Sequence, residues 1–132
     1  REVLGDHVHQ RGSNITSERL RFDFNHDEKL TPEQIAKVEK YVNEAISSKA
    51  VIYISEMPKN EAKESGVEGN FWDKYPDIVK VYTMKDDKGK IWSREVCGGP
   101  HVSDTANLGR FSIQKEQSSS AGVRRIKGVL SK

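Results

Sequence analysis

A single amphipathic helix limits the possible folds of this chain more than any other feature. The stretch TPEQIAKVEKYVNEAISSK repeats apolar residues at helical spacing, namely Ile35, Val38, Val42, Ala45 and Ile46. Thr31 is a favourable N-cap, Pro32 suits the first helical position, and Gln34 completes a capping box with Thr31. Because such a helix must bury its apolar stripe against another layer, we expect it to pack on a sheet.

Most of the remaining chain has the patterns of short strands. In ERLRFDFNH, Leu20, Phe22 and Phe24 alternate with charged residues, which is typical of a half-buried strand. Further strands are predicted in AVIYISEMP, IVKVYTM, IWSREVC, FSIQKEQ and VRRIKGVL, with a short helix in KNEAKESG and a polar break at SSSAG. The segment KDDKGK suits a hairpin turn. The sequence therefore predicts an α+β fold, an antiparallel, hairpin-rich sheet packed against one main helix.

Length and composition indicate one modest domain over residues 1–132. The chain has 34% hydrophobic and 32% charged residues and a formal net charge of +2, which by itself does not indicate nucleic-acid binding. A single cysteine excludes an intramolecular disulfide, and no apolar run is long enough to span a membrane. We therefore expect a soluble cytoplasmic protein without a membrane partner. Because the first residue is Arg1 and not Met, we also expect a fragment of a longer chain.

The stretch EVCGGPHV contains the one thiol of the chain. Cys97 ends a predicted strand, and Gly98 and Gly99 with the following proline form a bend that leads to His101. Thiolate and imidazole are good zinc ligands. Two other interpretations stay open: a buried thiol beside a surface histidine, or a cysteine nucleophile with His101 as its base and the glycine amides as an oxyanion hole.

Three more histidines and two arginines are further candidates. If residues 6–14 were extended, His7 and His9 would share one face and complete a four-ligand zinc set; otherwise one histidine makes a structural hydrogen bond and the other lies on the surface. His26 is expected in a turn or cap. Arg124 and Arg125 suit phosphate contacts, or else face solvent on an edge strand that follows a polar turn.

Five stretches in this order resemble one known family: GDHVHQRGS, ERLRFDFNH, CGGPHV, LGRFSI and SSSAGVRRIKGVL. They are similar to the editing domain of alanyl-tRNA synthetases, which is related to the free-standing alanyl-tRNA editing proteins and to the second additional domain of threonyl-tRNA synthetases. The resemblance runs from Arg1 to about Leu130 and implies the common fold of these editing domains. It also implies hydrolysis of tRNA(Ala) that carries serine or glycine, because a synthetic pocket rejects these two amino acids poorly.

The resemblance implies partners and roles for individual residues. The partners are the acceptor end of tRNA(Ala) and the other domains of an alanine–tRNA ligase, whose ATP and Mg²⁺ would bind in a ligase domain outside these residues. The family holds zinc with a His-x3-His pair and a Cys-x3-His pair, and the second pair maps to Cys97 and His101. Implied roles in the editing pocket or in RNA contact fall on Gln10 as the catalytic residue and on Gly12, Ser13, Gly98, Gly99, Arg124 and Arg125. For Arg124 and Arg125, which match the family's VRRI element, buried ion pairs are the other role that the resemblance allows.

The chain departs from the family pattern in two places. The family's His-x3-His pair precedes the position of Arg1, so neither His7 nor His9 receives a ligand role, and we expect an incomplete zinc site in this fragment. Pro100 stands where many alanyl enzymes have threonine. The alternative is a non-catalytic tRNA-binding or structural domain of the same fold.

Overall fold

The computed structural model describes residues 1–69, 72–97 and 108–131, and the chain divides into two compact units. Residues 1–44 and the segment from residue 108 onward form the first unit, and residues 45–107 form the second. The described elements are β1 (Gln10–Ile15), β2 (Leu20–Asn25), α1 (Pro32–Ser47), β3 (Val51–Pro58), α2 (Lys59–Glu64), a short 3-10 helix (Trp72–Lys74), β4 (Ile78–Lys85), β5 (Ile91–Val96), β6 (Arg110–Ser120) and β7 (Val123–Ser131). No helix in these ranges is long and apolar enough to cross a membrane.

The strands confirm the α+β class, although they form two sheets instead of one. The first unit has a four-stranded antiparallel sheet in the order β1-β2-β7-β6. The second unit has a three-stranded antiparallel sheet in the order β3-β4-β5. The assignment of residues 1–132 to one domain stays a prediction.

The core of the first unit lies on the face of the sheet that carries the predicted alternation. Phe24 and Leu30 are 4% and 2% exposed and cluster with Val8 and Ile126. Ile35 of helix α1 packs against this cluster, so the start of the predicted apolar stripe contacts the sheet as expected. Burying one such side chain fully contributes roughly 1.5–3 kcal/mol.

The start of helix α1 has the capping box that the sequence predicts. The Gln34 amide N–H donates to Thr31 Oγ1 at 3.1 Å, and the Thr31 amide N–H donates to Gln34 Oε1 at 2.9 Å. The two bonds satisfy donors that the first turn of a helix leaves without partners. This local signal was therefore sufficient to place the start of the helix.

Helix α1 also protects the outer edge of strand β6, which the sequence did not indicate. Asn43 accepts a hydrogen bond from the Phe111 N–H at 2.7 Å and donates one to the Phe111 carbonyl at 2.9 Å. The Ile113 N–H donates to Glu39 Oε1 at 2.7 Å. These side chains take the place of a further strand, so the edge does not offer its backbone groups for pairing with another chain.

The hairpin between β6 and β7 differs from the prediction. The serines of SSSAG were expected in a polar break, but β6 continues through Ser120 and the turn consists of Ala121 and Gly122. Gly122 has a φ of 72°, a conformation that favours glycine. Strand β7 then lies between β2 and β6, so the expectation of an edge strand was wrong. Pairing with β7 outweighs the low strand propensity of the serines.

The second unit follows the predicted order of strand, short helix and hairpin. Its core contains Ala62, Val67, Val79 and Val81, and Trp72 and Tyr75 pack against it. The loop-like stretch VEGNFWDKYPD predicts that the aromatic side chains of Phe71, Trp72 and Tyr75 cover this core; Phe71 lies outside the described residues. In the β4–β5 turn, burial of Asp86 opposes ionisation, but N–H donors from Lys90, Trp92 and Lys88 outweigh it and lower the pKa of the carboxyl.

Candidate functional site

The structure brings together three residues of the predicted pocket at the start of β1. The register between β1 and β2 shifts between Gln10 and Gly12, so a β-bulge lies at this point. Gln10 Nε2 donates to Ser13 Oγ at 3.2 Å. Gly12 faces Asp23, and a Cβ at Gly12 would lie 3.4 Å from the Asp23 Oδ2 atom. The bulge thus turns Gln10 and Ser13 toward each other while Gly12 lies close over the neighbouring strand.

Asn25 fixes the segment that leads into Gln10. Its side-chain Nδ2 donates to the His7 carbonyl at 2.7 Å, and its Oδ1 accepts from the His9 N–H at 2.5 Å. A backbone bond from the Asn25 N–H to the His9 carbonyl adds a third tie. Sequence reasoning missed this residue. The available signal was an amide side chain at the end of a predicted strand, a residue type that readily bonds to nearby backbone.

The histidines do not form the arrangement that an extended segment would give. His7 lies in a turn and strand β1 begins only at Gln10, so His7 and His9 do not share the face of a strand. The His7 ring stacks on the His26 ring with 5.2 Å between centroids, and His7 Nε2 and His26 Nδ1 are 2.9 Å apart, a hydrogen bond. His26 directly follows β2, consistent with the turn position expected for it.

The structure describes one residue of the predicted Cys-x3-His pair. Cys97 is partly buried and directly follows β5, as predicted. Gly98, Gly99 and His101 lie outside the described residues. Within residues 1–69, 72–97 and 108–131, no group of three or more histidine, cysteine, aspartate or glutamate side chains is arranged to hold a metal ion. The zinc ligands therefore stay a prediction.

Arg124 and Arg125 point to opposite faces of the sheet, because neighbouring residues of a strand alternate. Arg124 Nε and Nη2 donate to the two carboxylate oxygens of Glu116 at 2.6 and 2.9 Å. The side chains of Arg124 and Glu116 are only 15% and 3% exposed. Burial raises the pKa of Glu116, but bonds from Arg124 and from the Leu30 N–H outweigh it, so that pKa lies below its usual value.

Arg125 forms a second two-bonded pair on the other face. Its Nε and Nη2 donate to the two oxygens of Asp23 at 2.9 and 3.0 Å. These hydrogen bonds hold the pKa of the Asp23 carboxyl below its usual range against the opposing effect of burial. Both arginines are therefore ion-paired, which is one of the two roles that the resemblance allows, and the alternative in which they face solvent was wrong.

Gln10 and Arg124 lie in one cross-strand row on the face that packs against helix α1. Gln10 is opposite Phe24 in the β1–β2 pairing, and Phe24 is opposite Arg124 in the β2–β7 pairing. Two strand spacings separate Gln10 from Arg124, about 10 Å between backbones. The fold thus brings two predicted site residues that are far apart in sequence into one row across three strands of the sheet.

Comparison with known proteins finds one matching family model and several similar alanine–tRNA ligases. Residues 79–127 match the family described as the threonyl and alanyl tRNA synthetase second additional domain. The chain is 56% identical to the alanine–tRNA ligase of Treponema denticola over 98% of its length, and 54% identical to that of Borreliella burgdorferi over 97%. It is 46% identical to that of Campylobacter jejuni subsp. doylei over its whole length.

The matched region is a small part of these relatives. The chain spans 21% of the length of the Treponema denticola and Borreliella burgdorferi proteins and 15% of the Campylobacter protein. The resemblance that the five sequence motifs indicate is confirmed. Over nearly its whole length, this chain is homologous to the part of alanine–tRNA ligases that carries the second additional domain.

Proposed function

We propose that this chain is the editing region of an alanine–tRNA ligase and hydrolyses the ester bond of tRNA(Ala) mischarged with serine or glycine. The observation that carries the proposal is the identity of 56% to an alanine–tRNA ligase over 98% of the chain, together with the matching second additional domain. A synthetic pocket for alanine cannot exclude the smaller glycine, and one added hydroxyl gives little discrimination against serine. A second, hydrolytic site restores accuracy.

Gln10 is the proposed catalytic residue, and its surroundings support this role. Its amide can hydrogen-bond the substrate or a water molecule, and the bond to Ser13 restricts its rotation. Asn25 holds the backbone immediately before it. A positioned amide of this kind stabilises developing charge at low reorganisation cost. Gly12 and Ser13 complete this side of the pocket, and Gly98 and Gly99 are proposed to border it.

We further propose that Cys97 and His101 supply two ligands of a zinc site. A second pair of ligands would come from the parent protein, in which the family places a His-x3-His pair. When bound, zinc can polarise a carbonyl, lower the pKa of a bound water or orient the substrate. ATP and Mg²⁺ belong to the ligase domain of the proposed parent, and the proposed location is the cytoplasm.

The test is deacylation of Ser-tRNA(Ala) by the longer parent that contains this region. We expect Cys97→Ala to abolish deacylation and zinc binding while aminoacylation with alanine persists. Gln10→His should lower the deacylation rate about 100-fold, the usual cost of removing one positioned donor. Gln114→His is the matched control, because Gln114 is exposed on β6 and has no role in the proposed pocket.

Two results would contradict the proposal. Unchanged deacylation in the Cys97→Ala protein would exclude the ligand role of Cys97. Binding of tRNA(Ala) by the parent without any hydrolysis of Ser-tRNA(Ala) would instead indicate a non-catalytic tRNA-binding domain of the same fold.

A further inference from the structure

Three cations form a row across the face of the four-stranded sheet that lies opposite helix α1. Arg21 of β2 is directly opposite Lys127 of β7, and Lys127 is directly opposite Lys115 of β6. Asn14 of β1 extends the row on the other side of Arg21. Arg21, Lys127 and Lys115 are called the cation row below. Arg21 is 94 residues from Lys115 and 106 residues from Lys127 in sequence, so the register of the sheet is what brings it beside the two lysines, which lie on one hairpin.

The burial of the neighbouring residues fixes the face on which the cation row lies. Phe22 and Ile126 pack in the core beneath helix α1. Arg21 and Lys127 are their immediate sequence neighbours on β2 and β7, and successive side chains of a strand point to opposite faces. The cation row therefore lies on the face away from the core, where Lys115 is exposed and Arg21 and Lys127 are half-buried.

Among the described residues, the two lysines of the cation row have no ion-pair partner, and Arg21 shares the carboxylate of Asp23 with Arg125. Neither lysine has a carboxylate oxygen within 4.0 Å among the described residues, and Arg21 Nε lies 3.7 Å from Asp23 Oδ2 without a hydrogen bond. Asp23 already accepts two hydrogen bonds from Arg125. Asp23 is the one carboxylate on this face of the described strands, so the cation row and Arg125 together have a single negative charge beside them.

This arrangement costs the folded protein stability. Like charges directly opposite each other on neighbouring strands are destabilising, by a few tenths to about 1 kcal/mol for each pair. The cation row contains two such pairs, Arg21 with Lys127 and Lys127 with Lys115. Adjacent strands are about 4.8 Å apart, so the three cations span roughly 10 Å. A polyanion that lies along the cation row would remove the repulsion, and this is the role that the geometry supports.

We propose that the cation row binds the phosphate backbone of an RNA double helix. The choice of RNA rests on the proposed function, in which the acceptor stem of tRNA(Ala) must approach this unit. The polar residues beside the row, Asn14 and Gln117, can donate to phosphate oxygens, the contacts that position a protein on a nucleic acid. This face of the described strands carries no aromatic side chain, whereas single-stranded sites stack bases on aromatic rings. The duplex backbone is therefore the better match.

The experiment measures binding of a labelled, non-aminoacylated RNA hairpin with the acceptor-stem sequence of tRNA(Ala), by fluorescence anisotropy over a series of salt concentrations. The double variant Lys115→Gln with Lys127→Gln should bind more weakly at every salt concentration. The plot of log K against log salt has a negative slope, and the magnitude of this slope should decrease by about 2, one for each lost phosphate contact. The matched control is Lys37→Gln with Lys63→Gln, an equal charge change at exposed positions of α1 and α2, which should keep the original slope.

Three results would overturn the proposal: no binding of the hairpin by the unchanged protein at low salt, an unchanged slope in the double variant, or an equal loss of affinity in the control. Circular dichroism checks that each variant is folded. If the double variant unfolds, Lys115→Gln alone, at an exposed position, replaces it in the binding measurement. The hairpin carries no aminoacyl ester, so its binding does not depend on hydrolysis. Absence of Ser-tRNA(Ala) hydrolysis in the separate deacylation assay would refute the proposed function and would leave the binding result interpretable. Hydrolysis together with an unchanged slope would refute the cation row alone.

Discussion

The two faces of the four-stranded sheet each hold an arginine–carboxylate pair, and the two pairs lie in different surroundings. On the side of helix α1, Arg124 and Glu116 are closed off, with the glutamate side chain only 3% exposed. On the other face, Asp23 is bonded to Arg125, whose side chain is 26% exposed, and also lies close to Arg21. Adjacent arginines in one sequence motif thus have different roles: Arg124 closes the edge of the core, whereas Arg125 belongs to a face with excess positive charge.

The largest loss of stability is expected when the buried ion pair of Arg124 and Glu116 is broken. Glu116→Gln removes the charge that holds Arg124 and weakens the acceptor for the Leu30 N–H just before helix α1. Removing one partner of a buried ion pair leaves the other charge uncompensated, which costs about 3 kcal/mol or more. Urea denaturation followed by circular dichroism should show a loss of this size in the free energy of unfolding.

The control for this variant is Glu44→Gln. Glu44 pairs with Lys40 at 3.8 Å on the exposed side of the same helix, and both side chains are more than half exposed. Exposed pairs at this spacing are worth no more than about 0.5 kcal/mol. A similar loss of unfolding free energy in both variants would show that the Arg124–Glu116 pair contributes no more to stability than a solvent-exposed pair.

A smaller loss of stability is expected for the pair of Arg125 and Asp23, on the face of the sheet opposite helix α1. Asp23→Asn keeps the shape of the side chain but leaves Arg125 and Arg21 beside a neutral amide. Because Arg125 can turn partly to solvent, we expect a loss of about 2 kcal/mol, below the range for a fully buried pair. Asp87→Asn, at an exposed turn position, is the control and should change the free energy of unfolding by less than about 0.5 kcal/mol.

The pH dependence of the Asp23→Asn variant follows from the pKa of Asp23. Its folded pKa is lowered, chiefly by the hydrogen bonds from Arg125, so its stabilising effect is present above the unfolded value near 4 and is lost as the pH falls through the folded value. The stability difference between the original protein and the variant should therefore shrink as the pH is lowered below about 4. A difference that stays constant down to pH 2 would contradict the assigned pair.

Local patterns predicted the elements of this fold well. The capping box of Thr31 and Gln34, the alternation in LRFDF and the turn before Trp92 placed the helix and most strands, because each signal lies within a few neighbouring residues. The serines before Ala121 were misassigned, because their strand conformation depends on pairing with β7.

Contacts between distant parts of the chain could not be predicted in the same way. Asp23 and Arg125 are 102 residues apart, and Asn43 reaches Phe111 over 68 residues. Such pairs depend on strand order and register, which the apolar pattern alone leaves undetermined. The role of Gln10 came from family resemblance, which also favoured zinc binding among the interpretations that residue chemistry left open for Cys97 and His101. The geometry adds the bond between Gln10 and Ser13 and the position of Cys97 after β5.

The smallest change in the free energy of unfolding is expected in the cation row. There a substitution should raise stability, whereas the substitutions in the two arginine–carboxylate pairs lower it. Lys127→Gln removes the central charge and with it both like-charge pairs, with Arg21 and with Lys115. We expect the free energy of unfolding to rise by a few tenths to about 1 kcal/mol at low ionic strength. At 1 M salt the Debye length is about 3 Å, so the gain should largely disappear. Lys37→Gln, an exposed helix position, should show no such salt-dependent gain. Denaturation curves at two salt concentrations test this directly. A loss of stability at low salt would mean that Lys127 is neutralised within the folded unit, and the cation row would then have no excess charge to offer an RNA backbone.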